Sequence, residues 1–477
     1  MKRGPMANFY RPPAAPAPSE LELDIDSLDL HGRGVGRCAG GICFVSGALP
    51  GERVRAALRQ RGRIREGRLL DIIRPSPQRQ RPFCELHGRC GGCPLYYASP
   101  RLVIRSKIAG LRQLFAKNAG LELPDPQPLA DGPLLYYRRT ARLAVDCTSG
   151  RTRVGFRASG SHEILAVSIC RVLRWELMLL VPTLAQLLDA LHCRRQVGHI
   201  DLACGDEGTG MTIRLCGAAD EHDLQCLREF ARSRDLYLSL LTPVQEEGVP
   251  PGGLAADGGC DAAGSAWPAQ DTEQRRAGLQ EQVLNVGLMP YVASSAGVLE
   301  FTPRCFVQVS SEVSEAMTEA LQRYVGGAAG LRVLDLFCGF GNFAFALALQ
   351  ADEVLGCDVS ETMIAVARRN AQRLGQAQVH FRCMDLDDGA QLRALLRQEA
   401  RFDVAVIDPG RAGARRAVGE VAAEGIARVV MFSCNPTTCS RDCALLVQAG
   451  YHLVEYRVFD MFAYTIHIEI MLCFERG

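Results

Sequence analysis

The chain has 477 residues, which is too long for one hydrophobic core and predicts about two or three domains. Lys and Arg number 54 and Asp and Glu number 53, so net charge alone gives no reason to expect a nucleic-acid partner. No signal-peptide core begins the sequence, and no apolar stretch approaches the roughly 20 residues of a membrane span. We therefore expect a cytoplasmic protein with no membrane partner, and nothing in the sequence indicates more than a monomer. Its 20 cysteines are then expected to be thiols, metal ligands or a nucleophile.

The amino-terminal region predicts a small β-barrel. Residues 1–19 are rich in Pro and Ala and are predicted to form a flexible tail. In residues 20–80 short β-like runs alternate with glycine turns, which indicates an OB-like barrel. This barrel carries eight closely spaced arginines, with only Glu66 and Asp71 as nearby acids in the sequence. The arginines are Arg53, Arg55, Arg59, Arg61, Arg63, Arg65, Arg68 and Arg74. They form either a solvated face or a surface that follows an RNA backbone.

Residues 81–300 form the predicted central α+β domain, which begins with a cysteine cluster. In "FCELHGRCGGC", Cys84, Cys90 and Cys93 have C-x5-C-x2-C spacing, which is typical of metal ligands. Zinc and an iron–sulfur cluster both fit this spacing. Residues 244–282 contain Pro, Gly, Ala and charge without a hydrophobic period, and they are predicted to be a flexible insertion.

Residues 301–477 predict a doubly wound α/β domain. The stretches "RVLDLF", "EVLGCD", "FDVAVID" and "RVVMFS" have the composition of buried parallel strands, and amphipathic stretches separate them. Strands that alternate with helices form a sheet covered on both faces. Ligands of such a sheet bind beyond the carboxyl ends of its strands.

The first of these strands leads into a glycine loop that indicates an adenosyl ligand. Gly339 and Gly341 lie in "DLFCGFGNFAFALA" before a helix, where missing side chains let the backbone approach a ligand. Asp358 ends the next strand, at a position from which a carboxylate binds ribose hydroxyls. The loop lacks the third glycine of a dinucleotide fingerprint and the Gly-Lys-Ser/Thr of a P-loop. An adenosyl ligand without a pyrophosphate fits better, and this points to S-adenosylmethionine.

Two further strands end in reactive side chains. Asp408 follows one strand in "AVIDPGRAGA", and Cys434 follows the next in "RVVMFSCNPTTCSRD". The neighbouring strand ends would bring a carboxylate and a thiol to the same crevice. Structural roles for both residues fit the spacing equally well.

Four motifs in this order resemble the RNA uracil-5-methyltransferases: "DLFCGFGNFAFALA", "DPGRAGA", "SCNPTTCSRD" and "DMFAYTIHIEIMLCF". Together with the barrel and "CELHGRCGGC", the chain is most similar to the 23S ribosomal RNA (uracil-5-)-methyltransferases of this family. The resemblance covers all but the first twenty residues and the insertion. It implies a TRAM domain at the barrel, a Rossmann-like class I methyltransferase domain, and S-adenosylmethionine-dependent methylation of carbon 5 of a specific uridine in 23S ribosomal RNA.

The resemblance also implies roles for individual residues. Cys434 matches the nucleophile that adds to carbon 6 of uracil, and Glu469 matches the base that removes the carbon 5 proton. Six residues match positions of the S-adenosylmethionine pocket: Gln308, Phe337, Asn342, Asp358, Asp385 and Asp408. Four cysteines match the ligands of a four-iron cluster: Cys84, Cys90, Cys93 and Cys170.

The sequence departs from the family pattern at three places. Gly410 replaces a proline or alanine, Ala463 and Tyr464 replace Pro-His, and Cys439 adds a thiol five residues after Cys434. None of these changes removes a catalytic group. Two alternatives remain open: the same chemistry on another ribosomal or transfer RNA uridine, or a catalytically inactive RNA-binding iron–sulfur protein.

Overall fold

The computed structural model describes residues 19–477 except 40, 63, 127–129, 149, 244–278 and 400. The predicted tail and insertion therefore lie almost entirely outside the described residues. Ser19 already belongs to the first strand, and residues 279–282 belong to the strand Leu279–Asn285, so both predicted boundaries were wrong by these residues. The chain divides into two compact units, residues 1–81 with 97–107 and residues 82–96 with 108–477.

The first unit contains a closed barrel of five strands. These are β1 (Ser19–Leu28), β2 (Gly34–Cys38), β3 (Gly41–Ser46), β4 (Arg53–Arg61) and β5 (Ile64–Arg74). They pair in the order β1-β2-β3-β5-β4. Alternate side chains such as Leu23, Ile25 and Val54 point into the core, as the period of two requires. A Cβ on Gly36 would lie 2.6 Å from the carbonyl oxygen of Asp24, so glycine lets β1 and β2 approach closely. The barrel agrees with the sequence prediction.

The second unit contains two large sheets, of which the first is mixed. Helix α1 (Pro100–Ala119) begins in the first unit and ends in the second, and the short strand β6 (Ala130–Asp131) follows it. The next elements are β7 (Thr140–Asp146), β8 (Arg153–Arg157), β9 (Ile164–Ala166), α2 (Trp175–Asp189), a 3-10 helix (His192–Gln196), β10 (Val197–Cys204), β11 (Thr209–Leu215), α3 (Glu221–Arg232), β12 (Tyr237–Pro243) and β13 (Leu279–Asn285). The sheet order is β13-β12-β11-β10-β7-β8-β9. Leu177, Leu184 and Leu227 pack from the helices into its core.

The carboxyl-terminal part begins with a hairpin and continues as an α/β region. Its elements are β14 (Tyr291–Ser294), β15 (Gly297–Glu300), α4 (Ser311–Val325), β16 (Arg332–Leu336), α5 (Asn342–Leu347), β17 (Glu353–Asp358), α6 (Glu361–Leu374), β18 (Val379–Cys383), α7 (Gly389–Gln398), β19 (Val404–Ile407), α8 (Arg415–Glu424), β20 (Arg428–Ser433), α9 (Pro436–Gln448), β21 (Tyr451–Asp460) and β22 (Glu469–Arg476). The four predicted parallel strands are β16, β17, β19 and β20, and all four are confirmed.

The second sheet has eight strands in the order β18-β17-β16-β19-β20-β22-β21-β6. Strands β16 to β20 are parallel to one another, and β22 is antiparallel to β20 and β21. The chain runs outward from β16 in one direction to β18 and in the other to β20, which makes a topological switch point at β16 and β19. Ligands of doubly wound sheets bind at such a point. None of the helices in the described residues is long and apolar enough to cross a membrane.

Local chemistry explains why these elements begin and end where they do. Residues 333–336 and Val404–Ile407 are buried because helices cover both faces of the parallel sheet. Helix α6 begins after Ser360, whose hydroxyl accepts from the Met363 amide, and ends at Gly375 with φ of 64°.

Candidate active site and cysteine cluster

Cys434 and Glu469 come together at the end of one strand pair. Strands β20 and β22 are antiparallel, and the last pair of their ladder is Ser433 with Ile470. The next positions, Cys434 directly after β20 and Glu469 at the start of β22, therefore oppose each other at the carboxyl end of β20. Cys434 is half-buried and Glu469 is buried. The structure thus brings together the two residues to which the sequence assigned catalysis, although they are 35 positions apart in the chain.

The surroundings of these two groups disfavour negative charge. Burial raises the pKa of the Cys434 thiol, and negative charges on Glu469 and Asp408 raise it further, whereas Arg411 lowers it. Burial also raises the pKa of Glu469 well above its usual value, with Asp408 adding to the effect and Arg411 opposing it. A negative charge on either group therefore disfavours a negative charge on the other.

The loop after β19 lies against the start of α9. The side chain of Asn435 caps this helix by accepting from the Thr437 amide at 3.1 Å, and its Nδ2 donates to the carbonyl oxygen of Arg411 at 2.8 Å. Buried Asp442 accepts from the Ala414 amide at 2.7 Å. Asn435 and Asp442 thus fix the loop that carries Asp408 and Arg411. Sequence reasoning missed both roles, and only the Asn-Pro helix start signalled the first.

Asp408 and Asp335 add two acids to the same edge. Burial raises the pKa of Asp408 to about 7. Asp335, inside β16, is fully buried, and neither of its carboxylate oxygens has a hydrogen-bond partner among the described residues. Burial and the charges of Asp408 and Asp358 raise the pKa of Asp335 well above its usual value. Sequence reasoning did not single out Asp335.

The glycine loop joins β16 to Asp358. The Oδ2 atom of Asp358 accepts from the Gly339 amide at 2.9 Å, and its Oδ1 accepts from the Ser360 amide at 2.8 Å. Phe337, with φ of 64°, directly follows β16 in the left-handed region, and Asn342 begins α5 on the far side of the loop. Phe337, Asn342 and Asp358 therefore surround the loop that the sequence assigned to the cofactor.

Asp385 and Gln308 are the remaining predicted pocket residues. Asp385 follows β18, and the Met384 amide before it donates to the carbonyl oxygen of Asp358 at 2.9 Å. This places Asp385 at the same sheet edge as Asp358. Gln308 is half-buried in the segment before α4, and no described contact joins its side chain to the other pocket residues.

The four cysteines of the predicted metal site come from one loop, which carries Cys84, Cys90 and Cys93, and from the segment around Cys170. Burial raises the pKa of Cys90, and charges on Cys170 and Cys84 raise it further, so these thiols interact electrostatically. Burial, followed by charges on Cys170 and Cys90, raises the pKa of Cys93 to about 12. The Gly92 amide donates to the Cys90 sulfur at 3.4 Å. All four residues are free thiols and half-buried, so the donor set is sulfur only and suits zinc or an iron–sulfur cluster.

The loop that carries Cys84, Cys90 and Cys93, which we call the cysteine loop, contacts the segment before Glu469. The Leu95 amide donates to the carbonyl oxygen of Tyr464 at 2.9 Å, and the rings of Tyr96 and Tyr464 meet edge to face at 4.4 Å. Tyr464 is buried and has φ of 62°. The departure from Pro-His at this place therefore supplies an aromatic contact to the cysteine loop. Gly410 has negative φ and open space at its Cβ position, so this departure imposes no strain.

The barrel arginines meet more acids than the sequence suggested. Arg53 pairs with Glu22 at 3.3 Å, and Arg74 pairs with Asp24 at 3.5 Å. Strand β1 supplies these acids, so the expectation that only Glu66 and Asp71 are near was wrong. Arg55 pairs with Asp71 at 3.5 Å. Arg59 and Arg68 line a groove of about 520 Å³ together with Arg33, Phe44 and Glu66, and Glu66 pairs with Arg33 at 3.4 Å. Among the described residues neither Arg59 nor Arg68 forms an ion pair.

A group of His and Asp side chains also has metal-ligand chemistry. His192, Asp220, His222 and Asp223 lie close together. Asp220 and Asp223 form the capping box of α3, and Asp223 also accepts from the His192 amide at 2.7 Å. Helix capping therefore explains both carboxylates.

Comparisons with known proteins agree with this geometry. A family model described as tRNA (Uracil-5-)-methyltransferase matches residues 279–477. The 23S rRNA (uracil(1939)-C(5))-methyltransferase RlmD of Aeromonas hydrophila is 34% identical over 477 residues, covering 99% of this chain and 100% of the relative. The RlmD of Edwardsiella ictaluri is 35% identical, covering 98% and 99%. The chain belongs to the RlmD family of 23S rRNA (uracil-C5)-methyltransferases.

A solved structure supports the fold of this RlmD family member. The Pyrococcus abyssi tRNA (uracil-54, C5)-methyltransferase, solved in complex with S-adenosyl-L-homocysteine, superimposes with a TM-score of 0.66. It is 19% identical and covers 95% of this chain and 100% of that chain. The methyltransferase fold predicted from the sequence is therefore confirmed.

Proposed function

We propose that this chain transfers the methyl group of S-adenosylmethionine to carbon 5 of a uridine in 23S ribosomal RNA. The observation that carries the proposal is the opposed thiol and carboxyl of Cys434 and Glu469 at the sheet edge next to the glycine loop. Family membership supplies the substrate class, since the full-length relatives are named for uracil 1939 of 23S rRNA. We propose the equivalent uridine as the target of this chain.

The thiolate of Cys434 adds to carbon 6 of uracil, which makes carbon 5 nucleophilic. Carbon 5 attacks the sulfonium methyl group, and S-adenosylhomocysteine leaves. Glu469 then takes the proton from carbon 5, the bond between sulfur and carbon 6 breaks, and the double bond between carbons 5 and 6 re-forms. The methyl group stays on carbon 5, and the proton ends on Glu469.

The electrostatics of the site suit this order of events. Burial raises the pKa of the Cys434 thiol and Arg411 opposes this rise, while burial also raises the pKa of Glu469 and favours its neutral form before addition. Once Cys434 has become a neutral thioether, its charge no longer opposes ionisation of Glu469. Formation of the thioether therefore favours the carboxylate form of Glu469 that the proton transfer needs.

The cofactor pocket is assigned to the residues around the glycine loop. We assign Asp358 to the ribose hydroxyls, because its carboxylate lies at the end of β17 and accepts from two backbone amides. Phe337, Asn342, Asp385 and Asp408 stand at the same edge. Gln308 is assigned by its family position alone.

We assign a four-iron cluster to Cys84, Cys90, Cys93 and Cys170. The four half-buried thiols and the sulfur-only donor set fit such a group. When bound, the cluster would crosslink the cysteine loop to the segment around Cys170, and its role is structural. The barrel is assigned as the TRAM domain, with Arg59 and Arg68 facing the RNA backbone.

The decisive experiment maps 5-methyluridine in 23S ribosomal RNA and transfer RNA from cells with and without the gene. Loss of one 23S methyluridine, restored by the wild-type gene and not by Cys434→Ala, is the expected result. Loss of a transfer RNA methyluridine instead would assign the other substrate. Unchanged methylation of both RNAs would favour the inactive RNA-binding protein.

A further inference from the structure

A row of aromatic side chains leads from the candidate active site to an exposed tryptophan. Beyond the Tyr464–Tyr96 contact, the ring of Tyr96 lies 4.5 Å from that of Phe83, and the guanidinium of Arg171 lies 5.3 Å from the Phe83 ring. The carbonyl oxygen of Arg171 accepts from the Tyr136 amide at 2.8 Å. Tyr136 in turn stacks on Trp175 at 4.4 Å, with the ring planes 16° apart.

The outer end of this row is exposed. Trp175 is 56% exposed and Phe83 is 41% exposed, and the side chain of Arg171 is exposed as well. Large aromatic side chains in a folded protein are mostly buried, so the exposed Trp175 ring, stacked on half-buried Tyr136, is a candidate ligand contact. Tyr136 also has φ of 55°, in the left-handed region that aromatic residues avoid.

The charge beside the row favours an anionic partner. The segments that carry Tyr136 and Trp175, residues 134–139 and 170–176, contain four arginines and one acid, Glu176. Arg139 is buried and paired with Asp206, so exposed Arg171 and half-buried Arg138 supply the positive charge beside the rings. Glu176 is paired with Arg174 at 2.7 Å. Aromatic faces next to arginines bind single-stranded nucleic acid, because bases stack on the rings and phosphates attract the guanidinium groups.

We propose that Phe83, Arg171, Tyr136 and Trp175 form a stacking surface for unpaired nucleotides that flank the target uridine. The proposal rests on the proposed function, since it takes RNA as the substrate. Carbon 6 of uracil is accessible only when the base leaves its stack, so the neighbouring nucleotides are also unpaired or distorted. The exposed rings of Phe83 and Trp175 and the guanidinium of Arg171 can contact these nucleotides, whereas Tyr96 and Tyr464 are buried beneath them.

Trp175 provides a direct optical test, because Trp267 is the only other tryptophan of the sequence. In the Trp267→Phe variant, all tryptophan emission comes from Trp175. Titration with a 23S rRNA fragment that spans the methylated uridine should quench this emission, with the same midpoint as RNA binding measured on filters. Unchanged emission at saturating RNA would overturn the proposal.

Substitutions separate stacking from simple apolar contact. Trp175→Leu should raise the Kd for the RNA fragment about tenfold, equivalent to ~1.4 kcal/mol, whereas Trp175→Phe should retain most of the affinity. Leu179→Ala is the matched control, because Leu179 is 73% exposed on the same helix and should leave RNA affinity unchanged. S-adenosylmethionine affinity and the circular dichroism spectrum should be those of the wild type in all three variants.

The outcomes distinguish this proposal from the function on which it rests. If the wild-type protein methylates the fragment but Trp175→Leu binds it as tightly as the wild type, the stacking surface is wrong and the function stands. If Trp175→Leu changes only self-association, the surface binds a second copy and the proposal is wrong. If the wild-type protein transfers no methyl group to the fragment, the proposed function fails, and the Trp175 emission reports RNA contact independently.

Discussion

Cys434 and Glu469 occupy opposing positions just beyond the last pair of the β20–β22 ladder. Each group raises the cost of a negative charge on the other, so their ionisations are coupled. This coupling suits a reaction in which the nucleophile is anionic first and the base is anionic later. The antiparallel strand β22 is therefore part of the chemistry, because its register sets the pair.

Removal of the nucleophile should abolish both the adduct and the methyl transfer. For Cys434→Ala we expect a loss of turnover of about 10⁴-fold or more, with RNA and S-adenosylmethionine still bound. Tritium transfer from labelled cofactor and denaturing gels measure the two effects. Cys439→Ala is the control, because Cys439 is 2% exposed inside α9, where its sulfur contacts that of Cys443 at 3.8 Å. Turnover by Cys434→Ala, or its loss in Cys439→Ala, would place the nucleophile elsewhere.

Removal of the base should stop the reaction at a later step. Glu469→Gln is nearly isosteric and should still add Cys434 to the uracil and transfer one methyl group. Because the carbon 5 proton then stays in place, the product should remain covalently bound to the protein. We expect a complex that survives denaturing electrophoresis and carries the labelled methyl group. An adduct without methyl, or one that persists after Cys434→Ala is added, would contradict these roles.

The sequence predicted the four central parallel strands because apolar runs between amphipathic segments are specific to a covered sheet. The catalytic pair was predicted only through resemblance to a family, since residues 35 positions apart carry no local signal of contact. The placement of β6 on the edge of the methyltransferase sheet was not predicted. Two residues are too short a run to show any period.

Charge relationships were the least predictable part. Glu22 and Asp24 neutralise barrel arginines because β1 pairs with β4, a contact between strands that are far apart in the chain. Asp335 gave no sequence signal, because the acids that raise its pKa, Asp408 and Asp358, lie at the ends of other strands. The Tyr464–Tyr96 contact joins segments more than 360 residues apart, and the departure from the family pattern gave its only hint.

Binding of S-adenosylmethionine should strengthen as pH rises through neutrality. Burial raises the pKa of Asp408 to about 7, so its carboxyl is neutral below this pH and charged above it. The cofactor is a cation and favours the charged form, so its Kd should fall between pH 6 and pH 8, with release of a proton on binding. Calorimetry in buffers of different ionisation enthalpy measures both the Kd and the number of protons released.

Asp408→Asn should flatten this pH dependence and remove the proton release. Persistence of the full pH dependence in this variant would assign it to Asp335 or Glu469, whose pKa values are also raised.

The stability of the free protein should change with pH in the opposite sense to cofactor binding. Because the folded state disfavours the charged form, the contribution of Asp408 to the free energy of unfolding is largest at acidic pH. This contribution is lost as pH rises from ~4 to 7. The free energy of unfolding of Asp408→Asn should not show this decrease.

Anaerobically purified protein should be brown and should contain about four irons per chain. Cys170→Ala should lower iron content and the visible absorbance, because a ligand is lost. Cys216→Ala is the matched control, since Cys216 is an exposed thiol that belongs to no cysteine cluster in the described residues. Iron is measured by plasma emission spectroscopy and the cluster by its Mössbauer spectrum. Stoichiometric zinc without iron would replace the four-iron assignment and leave the methyltransferase function unaffected.

The barrel arginines should differ in their effect on RNA according to their ion pairs. Arg59 and Arg68 line the groove beside Phe44, whereas Arg53 and Arg74 are paired with acids of β1. The double variant Arg59→Ala/Arg68→Ala should weaken RNA binding and reduce the slope of log K against log salt by about 1 to 2, because each lost phosphate contact removes about one unit.

The matched double variant Arg53→Ala/Arg74→Ala should change the salt slope much less, because exposed ion pairs of this kind contribute little and their arginines are already partly neutralised. Affinity for S-adenosylmethionine should be unaffected in both variants, which separates RNA binding from the catalytic domain. Equal salt slopes for the two variants would show that the groove makes no particular contact with the RNA backbone. The arginine-rich strands would then be a solvated face of the barrel.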